Sequence, residues 1–132
     1  MRLDHIGIAV NSIQEALKTY QSGLGFPVSD IATIEHQKVR VAVMPLGESS
    51  IELLEPTDST SPIRKFLDKR GEGIHHLCFK VSSLADKLKE LKATGLQILD
   101  SIPCRGLENR KIAFLHPGST HGVLIELVEE EL

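Results

Sequence analysis

Gly71-Glu72-Gly73-Ile74-His75-His76-Leu77-Cys78-Phe79-Lys80-Val81 decides how this chain is read. The two glycines mark a turn, and the short apolar run behind them has the length and residue types of a strand. Neighbouring strand residues point to opposite faces, so His75 and His76 cannot both serve one point in space. Leu77, Phe79 and Val81 share one face, and His76 and Cys78 share the other.

A repeat within the chain chooses between the histidines. Leu3 to Val10 superimposes on Ile74 to Val81 with His5 on His76, Asp4 on His75 and Val10 on Val81. The same spacing carries Ser12 onto Ser83, Ile13 onto Leu84, Glu15 onto Asp86, Leu17 onto Leu88 and Tyr20 onto Leu91. Such self-similarity reads as two copies of one strand-helix unit. It favours His76 over His75.

The elements follow from periodicity and punctuation. A strand over 3–10 leads to a helix capped by Ser12 and Glu15, with Ile13, Ala16, Leu17, Tyr20 and Leu24 as its apolar stripe. Gly23, Gly25 and Pro27 stop it, and strands are expected at about 27–34, 39–46 and 50–55. Pro56 to Ser61 is a polar linker, after which Ser61-Pro62 opens a short helix that Gly71 closes. The second unit then runs through a strand over 74–81 and a helix over about 83–94. Further strands are expected at about 96–101, 110–115 and 122–128, with a loop from Pro103 to Asn109 and a turn at His116-Pro117-Gly118-Ser119. The fold class is α+β, a βαβββ unit twice over. One domain covers 1–132, with module one at about 1–56, linker and short helix at about 57–72 and module two at about 73–132.

Composition excludes several functions. With 15 basic against 18 acidic residues and 4% aromatics, neither a nucleic-acid groove nor a base-stacking platform is expected. No apolar run reaches the length of a membrane span, and no signal-peptide layout precedes the first strand. Cys78 and Cys104 form no framework, which fits a reducing compartment; the expected location is the cytoplasm.

Two carboxylates carry the chemistry. Glu52 lies in Ile51-Glu52-Leu53-Leu54 and Glu126 in Leu124-Ile125-Glu126-Leu127. A carboxylate in such an apolar strand is costly to bury unless paired, neutralised or bound to metal. Each half thus offers one early histidine and one late glutamate: His5 with Glu52, and His76 with Glu126. Two imidazoles and two carboxylates suit a divalent ion such as cobalt, zinc, nickel, manganese or iron(II), without choosing among them. Taken singly, His5 could be a terminal histidine and either glutamate an edge residue facing water. The repetition argues for ligands.

From end to end the chain resembles the methylmalonyl-CoA epimerases of the vicinal oxygen chelate superfamily, which also holds glyoxalase I and the extradiol dioxygenases. The resemblance rests on Asp4-His5-Ile6-Gly7-Ile8-Ala9-Val10, Ile51-Glu52-Leu53-Leu54-Glu55-Pro56 and Ser61-Pro62-Ile63 with Lys65-Phe66-Leu67. It continues in Gly71 to His76, in Ala113-Phe114-Leu115-His116-Pro117 and in Gly122 to Leu127. It implies paired βαβββ modules forming an open, curved, eight-stranded barrel-like sheet around a metal site, and a homodimer. By position the metal ligands fall on His5, Glu52, His76 and Glu126, with cobalt first among the ions; some relatives have glutamine at 52.

The implied reaction moves the proton α to a thioester and interconverts (R)- and (S)-methylmalonyl-CoA through a metal-stabilised enolate. Inversion needs two acid/base groups. Glu126 is one, doubling as ligand; the other falls at Glu35 or, one residue on, His36, where a solvated turn is the alternative. Relatives commonly have a glycine-rich loop where this chain has Cys104 to Arg110, so the acyl group is what that loop puts in doubt. Lys38, Arg40, Arg105, Arg110 and Lys111 are available to the CoA phosphates, and none is assigned. The competing functions are a glyoxalase I-type lyase, an iron(II) dioxygenase using His5, His76 and Glu126, and a metal-free binding protein.

Overall fold

The computed structural model describes residues 1–99 and 104–131. The chain divides into two compact units, residues 5–75 and residues 76–132 together with 1–4. Each is mixed α+β, and its apolar strand faces bury against a helix.

In the first unit β1 (Arg2–Ala9) leads to α1 (Ile13–Leu17), followed by β2 (Asp30–Ile34), β3 (Val39–Leu46) and β4 (Ser49–Pro56). The strands lie in the order β2-β3-β4-β1, antiparallel except for the parallel pair of β1 and β4. Val10, Ile13, Ala42, Met44 and Leu53 form the core, and Ile8, Leu17, Tyr20 and Phe26 pack on it. Ser12 Oγ accepts the Glu15 backbone N–H at 3.2 Å, as the capping spacing requires.

The expected helix through Leu24 is shorter as an α-helix. From Lys18 to Gly23 it widens to a π-helix, in which the Leu24 N–H reaches back to the Thr19 carbonyl at 2.8 Å. Gly25 then turns the chain at a positive φ of 80°, and β2 begins three residues later than expected. α2 (Pro62–Arg70) follows the linker, capped by the fully buried Ser61, whose Oγ accepts the Ile63 N–H at 3.2 Å.

The second unit repeats the order: β5 (Gly73–Val81), α3 (Leu84–Ala93), β6 (Cys104–Arg105), β7 (Lys111–Leu115) and β8 (Ile125–Glu129). Its strands lie as β5-β8-β7-β6, again with one parallel pair, β5 with β8. Val81, Leu84, Leu88, Ala113, Leu115 and Leu127 pack between sheet and helix. Cys78, Ile112 and Val128 cluster on the other face.

The strand expected at 96–101 is not formed over its described part. Only Ile98 bridges, to Leu115, and residues 100 and 101 lie outside the described residues, as does Pro103 at the start of the expected loop. Strand pairing falls instead on Cys104 and Arg105, opposite Ile112 and Lys111, inside the stretch expected to be loop. Leu107–Asn109 forms a tight turn between them, with Glu108 and Asn109 at positive φ. A two-residue strand has no periodicity to read.

Candidate metal centre

Strand register places each histidine beside one glutamate. In the first unit Gly7 of β1 lies opposite Glu52 of β4, and His5 is two residues back on the same face of β1. In the second unit Cys78 of β5 lies opposite Glu126 of β8, with His76 two residues back. The diagonal is the same in both. His5 Nδ1 stands 3.2 Å from Glu52 Oε2, and His76 Nε2 stands 3.0 Å from Glu126 Oε1.

All four residues are buried: His5 at 7% exposure, Glu52 at 9%, His76 at 6% and Glu126 at 7%. Carboxylates so far from water need a positive partner. The distances suit a shared ion. Two donors that each bind an ion at about 2.1 Å, about 90° apart, stand about 3.0 Å from one another. Within each unit the nitrogen and oxygen donors therefore already have the separation of two neighbouring ligands, and their mixed character fits a divalent first-row metal.

His75 has a different environment. Half-buried, it meets the Phe66 ring of α2 edge-on, centroids 5.0 Å apart at 81°. Glu35 and His36 both sit exposed in the single helical turn Glu35–Gln37 between β2 and β3. That turn closes on Lys38, held in the left-handed region at φ 56°, ψ 43°, with its N–H on the Glu35 carbonyl at 3.1 Å. A non-glycine residue there costs about 1–2 kcal/mol.

Lys38 is fastened to the linker in return. Its carbonyl accepts the Thr57 N–H at 3.1 Å, and its ammonium donates to Thr60 Oγ1. Thr60 gives both its hydroxyl, at 2.6 Å, and its backbone N–H, at 2.7 Å, to Asp58 Oδ1. Those hydrogen bonds, with Lys38 nearby, hold the Asp58 carboxyl below its usual range. The Phe114 ring meets His76 edge-on, with centroids 6.3 Å apart at 80°. Neither contact was marked by a motif in the sequence; Phe114 could have been found from its register opposite Glu126.

The chain belongs to the glyoxalase/bleomycin resistance protein/dioxygenase superfamily, whose family model matches residues 4–114. Its similar proteins include the uncharacterized protein YqjC of Bacillus subtilis, 44% identical over 97% of this chain and 91% of that one, and several methylmalonyl-CoA epimerases. The mitochondrial methylmalonyl-CoA epimerase of Dictyostelium discoideum is 38% identical over 98% of this chain and 78% of that protein. The crystal structure of methylmalonyl-CoA epimerase from Mycobacterium tuberculosis superimposes with a TM-score of 0.94 at 38% identity, covering 99% of this chain and 89% of that one. A variant of the Streptomyces coelicolor methylmalonyl-CoA epimerase, solved with 2-nitronate-propionyl-CoA, gives a TM-score of 0.94 at 36% identity over 100% and 99% of the two chains.

Proposed function

We propose that this chain is a metal-dependent epimerase that interconverts (R)- and (S)-methylmalonyl-CoA. What carries the reading is its near full-length likeness to methylmalonyl-CoA epimerases, one of them solved with methylmalonyl-CoA bound. The repeated buried histidine-glutamate pair supplies the chemistry such a reaction needs.

His5, Glu52, His76 and Glu126 hold one divalent ion, cobalt first among the candidates. Bound there, the ion supplies positive charge against the negative charge that develops on the substrate as its α-proton leaves. Glu126 takes or gives the proton on one side of the α-carbon and Glu35 on the other, each positioned group contributing about 10² to 10⁴ in rate. Burial of the pairs keeps water from competing for these charges. The protein works as a homodimer in the cytoplasm; no helix among the described residues is long and apolar enough to cross a membrane.

Proton exchange tests the reading. Protein stripped of metal and reloaded with cobalt is incubated in D₂O with (R)-methylmalonyl-CoA, and α-proton loss and configuration are followed by NMR. Metal-dependent exchange with inversion, absent in His76→Ala, is the expected result. A protein that binds one metal per chain but exchanges nothing overturns the epimerase reading, and turnover of a glutathione hemithioacetal instead would make it a glyoxalase-type lyase.

A further inference from the structure

Glu72, between the two glycines ahead of His75 and His76, makes a contact that the repeat does not call for. Its Oε2 accepts the backbone N–H of Asn11 at 2.9 Å, within the first unit. Asn11 stands just past the end of β1 and just before the capping residue Ser12. The second unit has no such tie. Ser82, which the repeat sets on Asn11, gives its N–H to no side chain among the described residues.

The turn that Glu72 occupies has little else to hold it. Gly71, at φ 76°, ends α2, and Gly73 opens β5; around each, the space a side chain would enter is empty out to 4 Å. Glycine on both sides gives the backbone its widest freedom, and no packing narrows it. Two fixed points remain: the Gly71 N–H on the Leu67 carbonyl at 2.8 Å, and Glu72 on Asn11.

Asn11 is itself held from α2. Its Oδ1 accepts Arg64 Nη2 at 3.0 Å, and Arg64 Nε donates to Asp68 Oδ1 at 3.1 Å, one turn further along the helix. A guanidinium and a carboxylate thus fasten α2 and the turn after it to one residue at the end of β1, through charge-assisted hydrogen bonds. β5 departs from that turn. His76 lies three residues beyond Gly73, about 10 Å along the strand. A metal ligand tolerates a misplacement of only about 0.5 Å, so slack at the turn is felt at the imidazole.

We propose that Glu72 is a positioning residue of the candidate metal centre: with Asn11 and Arg64 it fixes where β5 begins, and so where His76 presents its ring. The inference rests on the four-residue centre of the epimerase reading. Glu72 acts through the backbone of β5 and gives the ion no ligand atom.

Cobalt reports the effect without turnover. Wild type, Glu72→Ala, Glu72→Gln and Arg64→Met are stripped of metal and titrated with cobalt. Competition with a chelator gives affinity, the visible absorption of the bound ion gives its ligand geometry, and the melting temperature of the metal-free protein is measured alongside. Glu72→Ala should weaken cobalt about tenfold and alter the visible band, with a smaller change of the same kind in Arg64→Met. Glu72→Gln keeps an oxygen for the Asn11 N–H and should bind within about threefold of wild type. Adding Gly73→Ala to Glu72→Ala stiffens the turn where there is room for a methyl group and should recover part of the affinity. Wild-type affinity and an unchanged band in Glu72→Ala overturn the inference, and a lower metal-free melting temperature beside them would make Glu72 a support of the fold alone. A loss that Glu72→Gln shares in full overturns it as well. Wild type that binds no cobalt would strike the four-residue centre itself, and the inference with it.

Discussion

Glu55 Oε1 accepts the backbone N–H of Ile13, the first residue of α1, at 2.8 Å. The second unit repeats the tie, with Glu129 Oε1 accepting the N–H of Leu84 at the start of α3 at 3.1 Å. A basic side chain from the neighbouring strand approaches the other oxygen each time: Arg40 at 3.7 Å and Lys111 at 3.8 Å. Each of these glutamates stands three residues beyond a candidate ligand, Glu52 or Glu126, and so on the opposite face of its strand. They fasten helix to strand behind the site. Glu55→Ala and Glu129→Ala should each destabilise the protein by about 1 kcal/mol, as loss of a helix cap does, read as a lower urea midpoint with unchanged slope. An unchanged midpoint would show that solvent satisfies the helix end equally well.

Breaking one buried pair should cost more than removing a helix tie. His5→Ala leaves the Glu52 carboxylate buried without its imidazole, and a loss of about 3 kcal/mol is expected in metal-free protein. Glu126→Gln keeps the shape and removes the charge. It should abolish α-proton exchange while costing less stability than His5→Ala. If the two substitutions cost the same, burial rather than charge governs the pairs.

Metal removal should lower the melting temperature. An ion that binds only the folded chain stabilises it by about 2.7 kcal/mol at a free concentration of a hundred times its Kd. Differential scanning with and without chelator reads the shift, and His76→Ala should show none. A melting temperature indifferent to chelator would argue against the four-residue centre.

Phe114 gives His76 one wall of its position. Phe114→Leu, which keeps an apolar side chain but loses the flat ring, should weaken metal binding about tenfold through a freer imidazole. Equilibrium dialysis with cobalt measures it. Equal affinity in variant and wild type would mean that strand geometry alone orients the histidine.

The linker clamp has a pH signature. The Asp58 pKa is lowered in the folded chain, by the Thr60 side chain first, then its backbone N–H, so its contribution to stability is present above the unfolded-state value. That contribution disappears as pH falls through the folded-state value, a window lying below about pH 4. Asp58→Asn should remove this part of the acid dependence by lowering the melting temperature slightly at neutral pH while leaving it nearly unchanged in acid. An acid limb identical to wild type would show that the clamp does not titrate.

Periodicity and punctuation were legible where elements are long and one-faced. β3 falls on 39–46 as expected, α2 opens at Pro62 behind Ser61, and α3 follows its Ser83 cap. Apolar patterning fails where hydrogen bonding changes without a change of face. The π-helical turns after Leu17 keep Leu17 and Tyr20 packed on the core, so the stripe looks continuous. Cys104–Arg105 is too short to carry a period, and Lys38, in a conformation that favours glycine, bears no mark of it in its own identity. At the candidate centre, the repeat pointed to His5, Glu52, His76 and Glu126, and the register brings each histidine to the glutamate of its own unit. What local patterning could not contain is the long-range partner. The pairing of Lys80 and Arg110 on Asp4 joins residues that lie 76 and 106 positions from it.

The parallel pairing of β1 with β4, and of β5 with β8, also governs how the chain reaches its native state. His5 cannot meet Glu52 until the helix and two further strands between them have been gathered in, and the same holds for His76 and Glu126. Closing so long a loop costs entropy before any contact repays it, and chains dominated by such closures fold slowly. The histidine-glutamate pairs thus belong to the late, non-local contacts of folding. A chain that has paired only β3 with β4 has not yet brought His5 to Glu52.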